Sequence, residues 1–206
     1  MSFYPLNWKL ANRIRSTSAK RSLYHGHVAV QDVAPLNAAV ASVYAAIPLT
    51  SAAAGQDIAA GWVAGAQAAL ALCPQPLEIK GVGAGVTGNV VITGTDICGN
   101  AITDTIAASG TSTVAGIKAF ASVSNVHVPV QSTTGETISV GTTKAFGVPF
   151  LSAEVLTALF KTSDGSADTG TLSLHATDVA QSIYTPSATP DGTKKTVLSL
   201  LVANLA

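Results

Sequence analysis

From Pro76 onward the chain is a succession of short apolar–polar alternations, each stopped within a few residues by Gly, Asn, Asp or Pro. Leu77-Glu78-Ile79-Lys80 alternates and ends at Gly81, and Asn89 to Gly94 (NVVITG) reads as an apolar strand. Thr95-Asp96-Ile97-Cys98-Gly99-Asn100 supplies turn residues, and Ala101 to Ala107 alternates again. After Ser109-Gly110-Thr111 come Val114, Phe120 with Val123, Val126 with Val128, and Ile138 with Val140. A period of two puts every second side chain on one face, which suits a sheet with one side in a core and does not suit an amphipathic helix. Val and Thr dominate, as a half-buried pleated surface favours. Strands recurring at roughly ten-residue spacing predict a mainly β chain. The expected fold is an antiparallel β-sandwich, Ig-like or jelly-roll-like, with an extended N-terminal arm and at most one or two short helices.

Other segments are less uniform. Thr171 to His175 and Thr196 to Val202 read as two further strands. Phe150 to Lys161 reads as a helix, because Leu151, Val155, Leu156 and Leu159 share one helical face behind Ser152 as a cap. Leu36 to Pro48 fits helix and strand alike, and residues 50–72, rich in Ala and Gly, show no clear period. Within that stretch Ile58 to Leu72 is too short to span a bilayer. The opening MSFYPLNWKLANRIR lacks the apolar run of a signal peptide.

Charge is scarce and unevenly placed. Charged residues make up 11% of the chain, where soluble domains typically carry about 25%. A surface so weakly charged has little to hold copies apart, and burial against other subunits removes the difficulty. The formal net charge is +0, yet Lys9, Arg13, Arg15, Lys20 and Arg21 precede the first acid, Asp32. The remainder has six lysines against eleven acids. Residues 1–36 therefore read as a basic arm and 37–206 as an acidic sandwich body. The arm's apolar anchors are Tyr4, Trp8, Leu10 and Ile14, and the four-residue recurrence of Leu6, Leu10 and Ile14 predicts a short helix from about Trp8 to Ser16. Tyr4, Trp8, Lys9, Arg13, Arg15, Lys20 and Arg21 are the candidate partner-binding residues. An acidic neighbour, or the body of another copy, suits such an arm better than nucleic acid, since the aromatics are too few and too far from the cations to form a stacking platform.

Residues that might carry chemistry do not converge. Gly83-Ala84-Gly85-Val86-Thr87-Gly88 matches the dinucleotide-binding letters, but that motif needs a helix next, and Asn89 to Thr93 reads as a strand. His25 and His27 offer two metal ligands without a third nearby, and His127 and His175 stand alone in strand contexts. Cys73 and Cys98 fit no metal spacing and are expected to be reduced. Asp96 and Asp104 flank a turn and read as turn and solvent-face residues of a hairpin. No G-x-S-x-G elbow occurs. The expectation is a chain without catalytic, cofactor or metal site and without a small-molecule substrate.

The run NVVITGTDICGNAITDTIAASGTSTVAGIKAFASV, from Asn89, resembles a pattern in virion proteins of tailed bacteriophages. In that pattern a strand leads to T-G-T-D, a G-N turn, an A-[IL]-T-[ED]-T-I strand, a turn with G-T, and V-x-G-x-K-A-F. Glu136 to Pro149 (ETISVGTTKAFGVP) resembles the V-S-V-G-x-x-x-x-[LF]-G-[LV]-P segment of the same proteins. The likeness covers about residues 38–206, specific in the middle and loose at both ends, and leaves the arm outside. It implies a capsid or tail component with a β-sandwich body, most like a head decoration (cement) protein, located in the virion and assembled in the host cytoplasm. Its partners would be copies of itself and major capsid or other virion proteins. A neck or tail component is the alternative; a host- or carbohydrate-binding module is a third class, for which Tyr184 is the candidate contact aromatic.

Overall fold

The computed structural model describes residues 13–15, 22–24, 27–50, 55–131 and 135–202, with backbone alone at 13–15, 22–24 and His27. In chain order the elements are β1 (Arg13–Arg15), β2 (Ser22–Tyr24), β3 (His27–Val33), β4 (Tyr44–Pro48), β5 (Gln56–Ile58), α1 (Ala66–Leu72), β6 (Gln75–Gly81), β7 (Thr87–Thr95) and β8 (Ala101–Ser109). They continue with β9 (Thr113–Phe120), β10 (Ser122–Val128), β11 (Thr137–Thr142), β12 (Phe146–Gly147), β13 (Val155–Ser163), β14 (Ser166–Ala167) and β15 (Thr171–Ser173). A 3-10 turn (Val179–Gln181), β16 (Ile183–Thr185) and β17 (Thr196–Val202) follow. The fold is mainly β and its strand pairings are antiparallel.

The first core lies between two four-stranded sheets, ordered β5-β10-β7-β8 and β4-β11-β6-β9. Alternation dictates which side chains meet there. Val90 and Ile92 of β7, Ile106 of β8 and Val126 of β10 face Leu77 and Ile79 of β6 and Ile138 and Val140 of β11. Each such burial contributes about 1.5–3 kcal/mol. The β7–β8 hairpin runs in unbroken register from Thr95↔Ala101 to Thr87↔Ser109. Its turn is organised by Asp96, whose carboxylate accepts the backbone N–H groups of Cys98 and Asn100, both at 2.8 Å. Gly99 takes φ 84 there, a left-handed conformation that disfavours a Cβ. Helix α1 closes one end through buried Leu70, and Gln67 exchanges hydrogen bonds with the backbone of Val123.

A second, smaller core follows. Sheets β12-β16-β15 and β14-β13-β17-β3 enclose Phe146, Val148, Tyr184, Leu198 and Leu200, with Cys73 from the end of α1. Lys118 of β9 reaches Asp178 before the 3-10 turn at 3.6 Å, and Gly147 N–H donates to the Pro74 carbonyl at 2.7 Å, so the two units are joined directly.

Three expectations change. Phe150 to Lys161 is not a helix. Leu151 to Glu154 is a turn in which the Glu154 carboxylate accepts the Leu151 N–H, and β13 then pairs along β17 with two register shifts. Those shifts put leucines at a spacing that mimics a helical face. The short helix expected from Trp8 to Ser16 meets a strand at Arg13–Arg15; its other residues lie outside the described ones. Finally, His27–Val33, read as the end of the arm, is a strand of the body, paired over its whole length with β17.

Candidate assembly surface

The sheet β14-β13-β17-β3 has one face on the second core, and its other face bears several exposed apolar side chains among the described residues. On the core side, β17 presents Leu198 and Leu200, which pair with Gln31 and Ala29 of β3 and with Lys161 and Ala158 of β13. The intervening residues must point the other way. Val28 stands beside Leu201 and Thr157 in one row, and Val30 beside Ser199 and Phe160 in the next. Val30 is 62% exposed and Phe160 57%, and Val28, Leu156 and Leu159 are exposed to a similar extent. Leu156 and Leu159 sit at the two register shifts of β13, where an extra residue turns outward.

Charges are few on this face. Asp32, the next outward residue of β3, meets Lys195 Nζ at 3.2 Å, an exposed pair worth little. Large side chains scattered singly over a surface need no explanation, whereas these five are grouped on one sheet face. Strand β3 is also an edge: among the described residues no further strand pairs with its other side. The arm enters the body through this same strand.

Of the arm residues singled out by sequence, Tyr4, Trp8, Lys9, Lys20 and Arg21 lie outside the described residues. Arg13 and Arg15 belong to β1, where they register with Tyr24 and Ser22 of β2. The structure therefore brings Arg13 and Arg15 onto one hairpin. The exposed face itself escaped the sequence reading. Its signal was the apolar period of two in His27-Val28-Ala29-Val30, which matched a strand rather than a solvated arm.

The acids of the body are largely engaged internally. Asp104 is buried rather than on the solvent face, its carboxylate accepting the N–H groups of Ile117 (2.8 Å) and Lys118 (3.2 Å). Asp168 accepts the Tyr184 hydroxyl at 2.6 Å and the Ser187 N–H at 3.0 Å. Burial alone would raise the Asp168 carboxyl, but the bonds from Ser187 and Tyr184 outweigh it and hold the group below the ordinary carboxylate range. Tyr184 is fully buried, so it is a core residue and not a contact aromatic.

One pairing was missed by sequence. His127 is not alone: its Nδ1 lies 2.9 Å from the Asp57 carboxylate, which also accepts from Asn125 at 2.9 Å. Those bonds, from Asn125 first and then His127, lower the Asp57 carboxyl. Ser124 nearby in sequence donates instead to the Thr93 carbonyl, so it is not aligned on the imidazole. After Gly88 the chain continues as strand β7, not as a helix, so the glycine run lacks the helix N-terminus that a pyrophosphate needs. No protein-family model, curated protein or solved structure matches the chain. Among the described residues no set of three or more His, Cys, Asp and Glu is placed to hold a metal ion, and no helix is long and apolar enough to cross a membrane.

Proposed function

We propose that this chain is a structural subunit of a tailed-bacteriophage particle, a capsid decoration (cement) protein that bridges neighbouring shell subunits. The observation that carries the reading is the uncovered apolar face formed by Val28, Val30, Leu156, Leu159 and Phe160 on a sheet whose inner face is already packed. The low charge of the whole chain and the resemblance of residues 38–206 to virion proteins support it. In this reading the sheet face lies on the shell, the basic arm lies along an acidic neighbour, and many small repeated contacts add avidity. The chain works by binding, without catalysis or cofactor.

The test is incorporation. The full chain, a Val30→Glu/Phe160→Glu variant and a chain lacking residues 1–21 are expressed during assembly of the phage that encodes the protein. The expected result is full chain on purified heads, located by immunogold labelling, and both altered chains left in the soluble fraction with unchanged circular dichroism. Label on necks or tails would replace the cement role with the neck or tail alternative. Particles free of the full chain would overturn the virion reading.

A further inference from the structure

Two features at the N-terminal side of the body are each incomplete alone. The first is the edge of β3 that no strand pairs with among the described residues, seven residues with a single charge, Asp32, and no proline or lysine. Natural edge strands of that length are ordinarily blunted by charge, proline or a covering segment, because their open backbone groups template pairing. The second is the β1–β2 hairpin. Among the described residues these strands pair only with each other and join none of the four body sheets. A two-stranded ribbon alone in water is marginally stable at best. Only His25 and Gly26 separate β2 from β3, so the hairpin leaves at the His27 end of that same open strand.

We infer that the β1–β2 hairpin of one copy adds to the free edge of β3 in a second copy of this chain, extending the β14-β13-β17-β3 sheet across the contact. Charge favours the match locally: the acceptor strand carries one acid, Asp32, and no Lys or Arg, and the donor strand β1 carries Arg13 and Arg15. Backbone pairing supplies the affinity, and Val28 and Val30, exposed along the edge, supply apolar neighbours for the incoming strand. Reciprocal exchange closes a two-fold pair, and one-way donation gives a ring where the rotation closes and a filament where it does not. The inference rests on the assembly reading above and names its self-contact.

The experiment measures the full chain's mass by light scattering over a dilution series, together with amide hydrogen exchange at His27–Val33. Two full-length variants accompany it: Val28→Lys/Val30→Lys on the acceptor edge and Arg13→Glu/Arg15→Glu on the donor hairpin. The expected result is an oligomer whose β3 amides lose protection on dilution, and variants that fall to monomer mass with unprotected β3. The donor variant lies outside the body, so its monomer mass cannot be attributed to a damaged core. A full chain that is monomeric at every concentration overturns the inference, as does an oligomer that both variants retain or whose β3 exchange ignores concentration. A monomer that still joins particles would leave the assembly reading standing and remove only the exchange.

Discussion

The side-chain oxygen of Gln75 accepts the backbone N–H of Leu36 at 2.8 Å, fixing the chain where it passes from β3 into the first sandwich. The amide nitrogen of the same side chain donates to the Thr143 carbonyl at 3.0 Å, where the chain passes from β11 into the second core. Gln75 is fully buried, so its own amide depends on these bonds. Gln75→Leu keeps the volume and strands both backbone groups; each such group costs about 1–3 kcal/mol. A loss of about 3 kcal/mol is expected in urea unfolding. Because one residue holds both crossings, the two cores should also uncouple, visible as a second transition or a reduced m-value. A single transition at the wild-type midpoint would show that the clasp is not holding.

The Tyr184–Asp168 bond makes the second core sensitive to acid. Burial, reinforced by the hydrogen bond to Asp168 and its charge, pushes the Tyr184 phenol well above its ordinary range, so it stays a donor at any physiological pH. The Asp168 carboxyl is held below its ordinary 3.8, so its contribution is fully present above that value and is lost as pH falls through the lower folded value. Tyr184→Phe removes the donor at nearly constant shape and is expected to cost about 2 kcal/mol at pH 7. The gap between wild type and variant should narrow in thermal unfolding as pH drops below about 4. A gap independent of pH would place the loss in packing instead.

The parts of the fold that sequence revealed are those where local pattern and tertiary role agree. In β7 and β8 the inward residues Val90, Ile92 and Ile106 alternate with the less buried Val91, Thr93, Thr105 and Ala107, and Asp96 and Gly99 turn the chain between them. In β13 they disagree, since Leu156, Leu159 and Phe160 turn outward, and a segment rich in exposed leucine at irregular spacing imitates a helix. Strand β3 was hidden for a different reason. Its apolar alternation at Val28 and Val30 is short and follows the basic arm, and its partner is β17 at the far end of the chain, which that local period does not identify. The candidate surface combines these two illegible strands, so sequence pointed to the arm and passed over the face beside it.

The two cysteines should differ sharply in reactivity. Cys73 is buried in the second core, and burial pushes its thiol up to about 12. Cys98 is exposed in the β7–β8 turn, its thiol raised by partial burial and by the charges of Asp96 and Glu154. Since the thiolate is the nucleophile, iodoacetamide at pH 8 is expected to modify Cys98 slowly and Cys73 only with denaturant. Mass spectrometry of the labelled peptides reads this directly, and native labelling of Cys73 would mean that the second core opens readily.

The segment before β4 passes as a strap close over Gly141 of β11, and the missing side chain there is what lets it lie flat. A Cβ at Gly141 would meet the Ala39 carbonyl oxygen and come within 2.6 Å of Val40 Cα. The strap is pinned on both sides of that point: Ser42 Oγ accepts the Thr142 N–H at 2.9 Å, and Thr142 Oγ1 donates to the Asn37 carbonyl at 3.0 Å. Backbone cannot yield as a flexible side chain can, so Gly141→Ala has to lift the strap and break those bonds. A loss of about 3 kcal/mol is expected, at the upper end for an overpacked site. Gly99→Ala, where no atom lies within 4 Å of the added carbon, is the control. It bears only the left-handed conformation, about 1–2 kcal/mol. Urea midpoints in the order wild type, Gly99→Ala, Gly141→Ala, with faster hydrogen exchange at 37–43 in the last variant alone, would confirm that close approach fixes the glycine. Equal midpoints for the two variants would mean that the strap is loosely seated.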